Sequence, residues 1–227
     1  MTPAEQKRAA AVAAAALIEE GMTVGLGTGT TAALFVEALA ARRLNIWCVA
    51  TSEVIAAQAR GLGLSLVDLN TAGSIDLTVD GADEIGPELA LIKGGGGALL
   101  REKLVWEASA RRTVIADATK LPGRFGRYPL PIEVVAFGHE VTARRIDRRL
   151  ADLGLAVSVV LRGHDGEPVR TDSGNMIYDA ACGVIEDPVG LGSAIKALTG
   201  VVEHGLFLNL AEQALIGTDD GVIVLKR

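Results

Sequence analysis

Cysteine is scarce: 227 residues hold only two thiols, Cys48 and Cys182, far apart in the chain. They form no metal-spaced set and suit a reducing compartment better than a disulfide framework. Blocks of lysine and arginine are missing too, and the formal net charge is −6. That balance disfavours a nucleic-acid surface but leaves room for a local cationic pocket. No apolar run suits a membrane span, and Glu5, Lys7, Arg8, Glu19 and Glu20 do not fit a signal peptide. A cytoplasmic enzyme or binding protein is the expectation. The three histidines, His139, His164 and His204, stand outside the glycine- and hydroxyl-rich loops, and no serine occupies a G-x-S-x-G elbow. A histidine-activated nucleophile is therefore disfavoured. No G-x-x-x-x-G-K-[ST] occurs, so there is no Walker A loop.

What is present is a globular composition, 49% hydrophobic and 22% charged. The length suffices for one large domain or two modest ones. Thr2-Pro3-Ala4-Glu5 is a capping box with proline at the first helical position, and it opens an alanine-rich helix to about Gly21. Strands then alternate with helices: strand 22–26, helix 32–42, strand 46–50, helix 53–60, strands 65–68, 75–79 and 89–92, a helix from 98 to about 112, and strand 113–116. Such alternation argues for a mainly parallel, doubly wound sheet. Prolines and glycines between Leu121 and Pro131 mark a domain junction. Beyond it come strand 132–136, helix 140–153, strand 157–161, a strand at 169–172 or 176–179, helix 190–198 and strand 201–206. That βαββαβ order suggests a ferredoxin-like unit. The tail reads as a hairpin, 214–216 against 222–225, returning to the first sheet.

The polar sets GTGTT (27–31), TS (51–52), DGADE (80–84), KGGGG (93–97) and DATK (117–120) each follow an expected strand. Ligands of open α/β sheets bind outside the carboxyl ends of the strands, so these sets are expected to meet at one edge. Gly27 to Thr31 offers backbone N–H groups, hydroxyls and a helix N-terminus to a phosphate, with Lys7 as a nearby charge. The same loop matches the G-x-G-x-x-A dinucleotide fingerprint, which wants an acidic residue about twenty positions later. Glu53 is the only candidate, and it falls in the first turn of a helix. A simple phosphate ester, a dinucleotide and a plain tight turn all remain open for this loop.

The stretch 79–103, VDGADEIGPELALIKGGGGALLREK, concentrates acids and lysines around four glycines. Glu102 has Ala98, Leu99, Val105 and Trp106 three and four positions away, all apolar. Desolvation there disfavours the charged carboxylate and moves it toward general-base chemistry, a contribution of about 10²–10⁴ in rate. Such a base needs a partner for the anion it makes, which Lys93 and the amides of Gly94 to Gly96 can supply. Asp80 and Asp83 can hold hydroxyls and relay a proton. Blander roles stand beside each: Glu102 paired with Arg101 or Lys103, Asp80, Asp83 and Glu84 binding Mg²⁺ or capping a turn, Lys93 neutralising aspartates, and Lys120 solvated.

At these residues the sequence resembles the type A ribose-5-phosphate isomerase family. The matching segments are GLGTGTTAALFVEAL (25–39), VDGADEI (79–85), IKGGGGALLREK (92–103), IADATK (115–120), YPLPIEVV (128–135), TDSGNMIYD (171–179) and ALIGTDDGV (214–222). The resemblance implies an α/β fold: a Rossmann-like, mainly parallel sheet domain (1–127 plus 207–227) with a second, smaller ferredoxin-like α+β domain (128–206). It implies interconversion of ribose 5-phosphate and ribulose 5-phosphate through a cis-enediolate, with no metal or organic cofactor, in a homodimer or homotetramer. Glu102 becomes the proton-shuttling base, and Thr28, Gly29, Thr30 and Thr31 become phosphate contacts. Asp80, Gly81, Ala82 and Asp83 line the sugar, Asp80 acting in ring opening. Lys93, Gly94, Gly95 and Gly96 face the enediolate, and Lys120 contacts substrate. A sugar-phosphate sensor and an NAD-dependent oxidoreductase are the competing readings, neither involving nucleic acid or membrane.

Overall fold

The computed structural model describes all 227 residues, Met1–Arg227. The chain divides into two compact units, one made of Met1–Ala82, Arg101–Leu121 and Asn209–Arg227, the other of Asp83–Leu100 and Pro122–Leu208.

The first unit is built on a seven-stranded sheet in the order Gly221–Lys226, Gln213–Thr218, Ser109–Asp117, Ile75–Gly81, Thr23–Leu26, Trp47–Ala50, Ser65–Leu66. All neighbours are parallel except the terminal hairpin, where Gln213–Thr218 and Gly221–Lys226 run antiparallel. The capping box forms as the sequence dictates: Glu5 N–H donates to the Thr2 hydroxyl and Thr2 N–H to the Glu5 carboxylate. The helix it opens, Pro3–Ala15, packs Ala10, Ala11 and Ala14 against a core of Ile18, Leu26, Phe35, Leu39, Leu77 and Ile115. Each fully buried aliphatic or aromatic side chain there stabilises the fold by about 1.5–3 kcal/mol.

The second unit carries a four-stranded antiparallel sheet ordered Val201–His204, Leu130–Val134, Met176–Ala180, Val159–Leu161. With helices His139–Asp152 and Pro188–Lys196 it completes the ferredoxin-like βαββαβ order. Its core holds Leu130, Ile132, Val134, Ile146, Leu150, Met176 and Ile195. Of the two candidate positions for the third strand, Met176–Ala180 is the one formed; the chain before it makes a short hairpin, Gly163–His164 with Glu167–Pro168, turning at Asp165 and Gly166 with positive φ.

Two expectations need correction. The run 89–92 is not one strand of the parallel sheet. Glu88 and Leu89 have φ of 53° and 57°, so the chain turns there, and only Leu91–Ile92 is extended. That pair joins Glu84–Ile85 and Leu206–Phe207 in a separate antiparallel sheet, so Lys93 does not follow a strand of the seven-stranded sheet. The helix expected to reach Arg112 ends instead at Glu107, and Ser109–Asp117 is a nine-residue strand. Ala110, Arg111 and Arg112 are good helix formers, but pairing from Ile75↔Ser109 to Gly81↔Ile115 overrides that preference.

Both thiols are buried, and burial pushes Cys48 up to about 12 and Cys182 up to about 11. Their neutral forms are favoured in the folded state, so the stability they contribute is complete below about pH 8.5 and is lost as pH rises through 11–12. We expect no alkylation by iodoacetamide in the native protein at neutral pH and two modified cysteines after denaturation. The urea midpoint should fall from pH 9 to 11, and fall less steeply in Cys48→Ala.

Candidate active site

In the first unit four of the five polar sets sit at the carboxyl ends of parallel strands. Asp80 is the hub. Its side chain is fully buried, and its Oδ1 accepts from the Thr28 N–H (3.1 Å) and from the Gly81 N–H (2.7 Å). The Trp106 indole N–H donates to Oδ2 at 3.1 Å. N–H donors of this kind stabilise the ionised carboxylate in a site closed to water. Gly27 makes the approach possible: a Cβ there would lie 2.1 Å from the Asp80 carboxyl carbon.

The threonine loop follows. Gly29, with φ 116°, caps helix Thr30–Ala41 without a side-chain bond, so that helix end is left to other acceptors. The Thr28 hydroxyl is engaged within the fold, bonded to Thr51 (2.7 Å) and Ser52 (2.8 Å), while Thr51 also donates to the Leu26 carbonyl. Lys7 donates to the Thr30 hydroxyl at 3.1 Å and lies 3.9 Å from Asp117. Thr31 is buried, and Lys120, in the short turn Ala118–Lys120, is half-buried. Glu102 stands in helix Leu99–Glu107 at 2% exposure, on the helix that also presents Trp106 to Asp80. Its neighbour Arg101 reaches Glu53 at 2.9 Å. Glu53 opens helix Glu53–Gly61 and is two-thirds exposed. The dinucleotide fingerprint therefore lacks an acid at its strand tip for a ribose.

In the second unit Lys93 is buried with its ammonium 5.4 Å from the centre of the Phe207 ring. Its backbone N–H donates to Gly205. The glycine run then bends through Gly94, φ 105°. Asp83 accepts the Gly95 N–H at 2.7 Å, so this amide is committed inside the protein. A Cβ at Gly95 would come within 2.6 Å of both Asp83 Oδ1 and the Tyr128 hydroxyl, so any side chain there would push both groups out of place. Glu84 does not join a ligand set. Its two oxygens accept from Gly126 N–H (2.5 Å) and Tyr128 N–H (2.6 Å) and hold that segment in place. No His, Cys, Asp and Glu side chains group as three or more around a point fit for a metal ion.

Sequence reasoning did not single out Trp106, Tyr128, Arg162 or Asp179 for the site. Trp106 was legible as an i+4 neighbour of Glu102, though only as an apolar one. Tyr128 and Arg162 reach the glycine segment from distant parts of the chain and Asp179 joins it through Arg162; Tyr128 and Asp179 lie in segments that match the family, but no local pattern marks any of the three for this place.

The fold and these residues define a mainly parallel α/β protein whose strand tips carry hydroxyls, carboxylates and a lysine, with a ferredoxin-like second unit. Comparison with known proteins narrows this. The family model for ribose 5-phosphate isomerase A (phosphoriboisomerase A) matches residues 47–221, and a model of the DeoR C terminal sensor domain matches only residues 2–63. A ribose-5-phosphate isomerase A of Caulobacter sp. (strain K31) is 58% identical over 99% of each chain. The one from Parvibaculum lavamentivorans is 48% identical over the full length of both. Among solved structures, ribose 5-phosphate isomerase from Plasmodium falciparum superposes with a TM-score of 0.92 at 36% identity, covering 99% of each chain. A D-ribose-5-phosphate isomerase in complex with phospho-erythronic acid gives 0.93 at 34% identity, covering both chains fully. The chain belongs to the ribose 5-phosphate isomerase A family.

The fit of Gly27 against Asp80 is testable by itself. Gly27→Ala should destabilise the fold by about 1–3 kcal/mol, as overpacking does, with a lowered melting temperature. Ala at Gly61, a helical position where a Cβ meets nothing within 4 Å, is the matched control and should leave it unchanged or raise it slightly.

Proposed function

We propose that this protein is an aldose–ketose isomerase that interconverts D-ribose 5-phosphate and D-ribulose 5-phosphate by proton transfer through a cis-enediolate. Membership of the isomerase family along the whole chain carries the reading, supported by the phosphorylated four-carbon acid bound to a relative 34% identical. That acid presents a carboxylate where the sugar would present its reacting carbons, so it resembles the enediolate in charge and planarity.

The chemistry needs one base, one oxygen-to-oxygen proton transfer and a counter-charge. Glu102 removes the proton from C2 of the open-chain aldose, and the electron pair flows to the carbonyl oxygen O1. The O2 proton passes to O1, and Glu102 returns the carbon-bound proton to C1. Lys93 and the amides of Gly94 and Gly96 hold the developing negative charge, the Gly95 amide being given to Asp83. Asp80 assists ring opening and, with Gly81, Ala82 and Asp83, holds the sugar hydroxyls. Gly29, Thr30, Thr31 and Lys7 take the phosphate end and Lys120 contacts substrate, while Thr28, its N–H bonded to Asp80 and its hydroxyl to Thr51 and Ser52, shapes the loop instead of meeting the phosphate as the resemblance implied. The burial of Glu102 and Lys93 supports these roles, since water competes weakly for charges so placed. We further propose a cytoplasmic homodimer or homotetramer; Phe137, 96% exposed, is a side chain that assembly would cover. Light scattering on the purified protein reads the state directly, and a monomer at micromolar concentration would contradict it.

A sugar-phosphate sensor is the second reading, since the sensor-domain match spans the threonine loop. It does not extend past residue 63, and no segment resembles a DNA-binding module. The deciding experiment is conversion of ribose 5-phosphate. Turnover should survive EDTA and disappear in Glu102→Gln with folding intact; full activity in that variant would remove the assignment. Lys93→Ala should lower kcat far more than it raises KM, because its charge matters chiefly in the transition state. Ribose 5-phosphate, and not NAD, should raise the melting temperature.

A further inference from the structure

Arg162 is a half-buried cation to which the catalytic scheme above gives no task. It follows strand Val159–Leu161, and its backbone N–H donates to Ile177 on the adjoining strand. Its Nε donates to Asp179 Oδ2 at 2.8 Å and its Nη2 to Oδ1 at 2.5 Å, a two-pronged pair with the next strand. Burial works against the guanidinium charge, but the Asp179 bond and charge overcome it and hold Arg162 above its ordinary value. The remaining nitrogen, Nη1, donates to the Gly94 carbonyl at 2.7 Å and the Gly95 carbonyl at 3.2 Å. One side chain therefore grips two consecutive peptide groups of the glycine run.

A trans peptide is planar with its C=O and N–H pointing in opposite directions, and the chain has no cis bonds. Fixing the Gly94 oxygen fixes the Gly95 N–H, which points at Asp83 (2.7 Å). Fixing the Gly95 oxygen likewise fixes the direction of the Gly96 N–H. A cation on the carbonyl side also polarises each peptide and strengthens its N–H as a donor. Glycine has no side chain to hold its own φ and ψ, so four in succession need an outside clamp to keep one conformation.

We infer that Arg162, oriented by Asp179, is a positioning residue for the proposed isomerisation: it aligns and polarises the amides of Gly95 and Gly96, the first holding Asp83 in place for the sugar and the second directed to the enediolate. This rests on the isomerase reading, and Asp83 and Gly96 transmit its effect to the sugar. A lysine cannot replace it, since a point charge cannot keep both Asp179 contacts while bridging two carbonyls.

The test uses the full-length protein and the variants Arg162→Met, Arg162→Lys and Asp179→Asn. Arg162→Met should lower kcat by about 10–100-fold, less than the 10²–10³ that deleting a direct oxyanion donor costs. KM should stay within about threefold, the signature of an interaction made in the transition state. The affinity for phospho-erythronic acid should weaken by the same factor as kcat, whereas that for arabitol 5-phosphate, a polyol with no anionic head, should not change. Millimolar guanidinium should restore part of the activity of Arg162→Met and none of that of Glu102→Gln. Arg162→Lys and Asp179→Asn should show the same pattern at smaller size, and they serve if the methionine variant does not fold. Unchanged kcat in the variants, or equal loss of affinity for the acid and the polyol, would overturn the inference. Absence of turnover in the unsubstituted protein would instead overturn the isomerase reading.

Discussion

A carboxylate enclosed in protein at the end of a strand has to be given hydrogen-bond donors, and in this chain that requirement falls on Asp80. Strand Ile75–Gly81 delivers it at full burial, and Thr28, Gly81 and Trp106 supply three N–H groups. Leaving any of these donors unmade costs roughly 1–3 kcal/mol, more for a charged acceptor. The requirement couples elements remote in sequence: the threonine loop after Thr23–Leu26, the strand tip itself and the helix that carries Glu102. Glycine at 27 follows from it, because no side chain fits between that backbone and Asp80. The hydroxyl chain from Thr28 to Thr51 and Ser52 then ties the neighbouring strand end to the same hub.

A second carboxylate, Asp179, plays a comparable part in the other unit. It holds Arg162, which holds the carbonyls of Gly94 and Gly95, and Asp83 takes the Gly95 amide on the opposite side. Backbone groups of a glycine run are useful to a developing anion only if they are fixed before the reaction, since reorganisation during it would consume the stabilisation they offer. Glu84 adds a further anchor by fixing Gly126 and Tyr128. Both units thus use buried or half-buried acids as organisers of backbone and not only as chemical groups.

Much of this was legible in the chain. The capping box at Thr2 and Glu5, the alternation of strands and helices, the hairpin return and the βαββαβ order depend on local pattern and turn chemistry, and all are found. Glu102 reads as a buried acid because its helical neighbours are apolar, and it is buried. The reading failed where local pattern was ambiguous: an aliphatic run at 89–92 looked like a strand although two residues turn with positive φ, and Ala-Arg-Arg looked helical although a neighbouring strand captured it. Glu53 kept a dinucleotide reading open until its position in a helix, paired with Arg101, closed it.

Sequence by itself determined the class of fold and the cast of acids, lysines, hydroxyls and glycines, because periodicity, caps and turn residues act over a few positions. Tertiary structure alone decided the partners: that Trp106 serves Asp80, that the Thr28 hydroxyl is spent on Thr51 and Ser52, and that Arg162 and Asp179 clamp the glycine run. The physical reason is range. A hydrogen bond between Arg162 and Gly94 spans 68 positions, and its direction depends on how sheets and loops pack, which no short window of residues encodes.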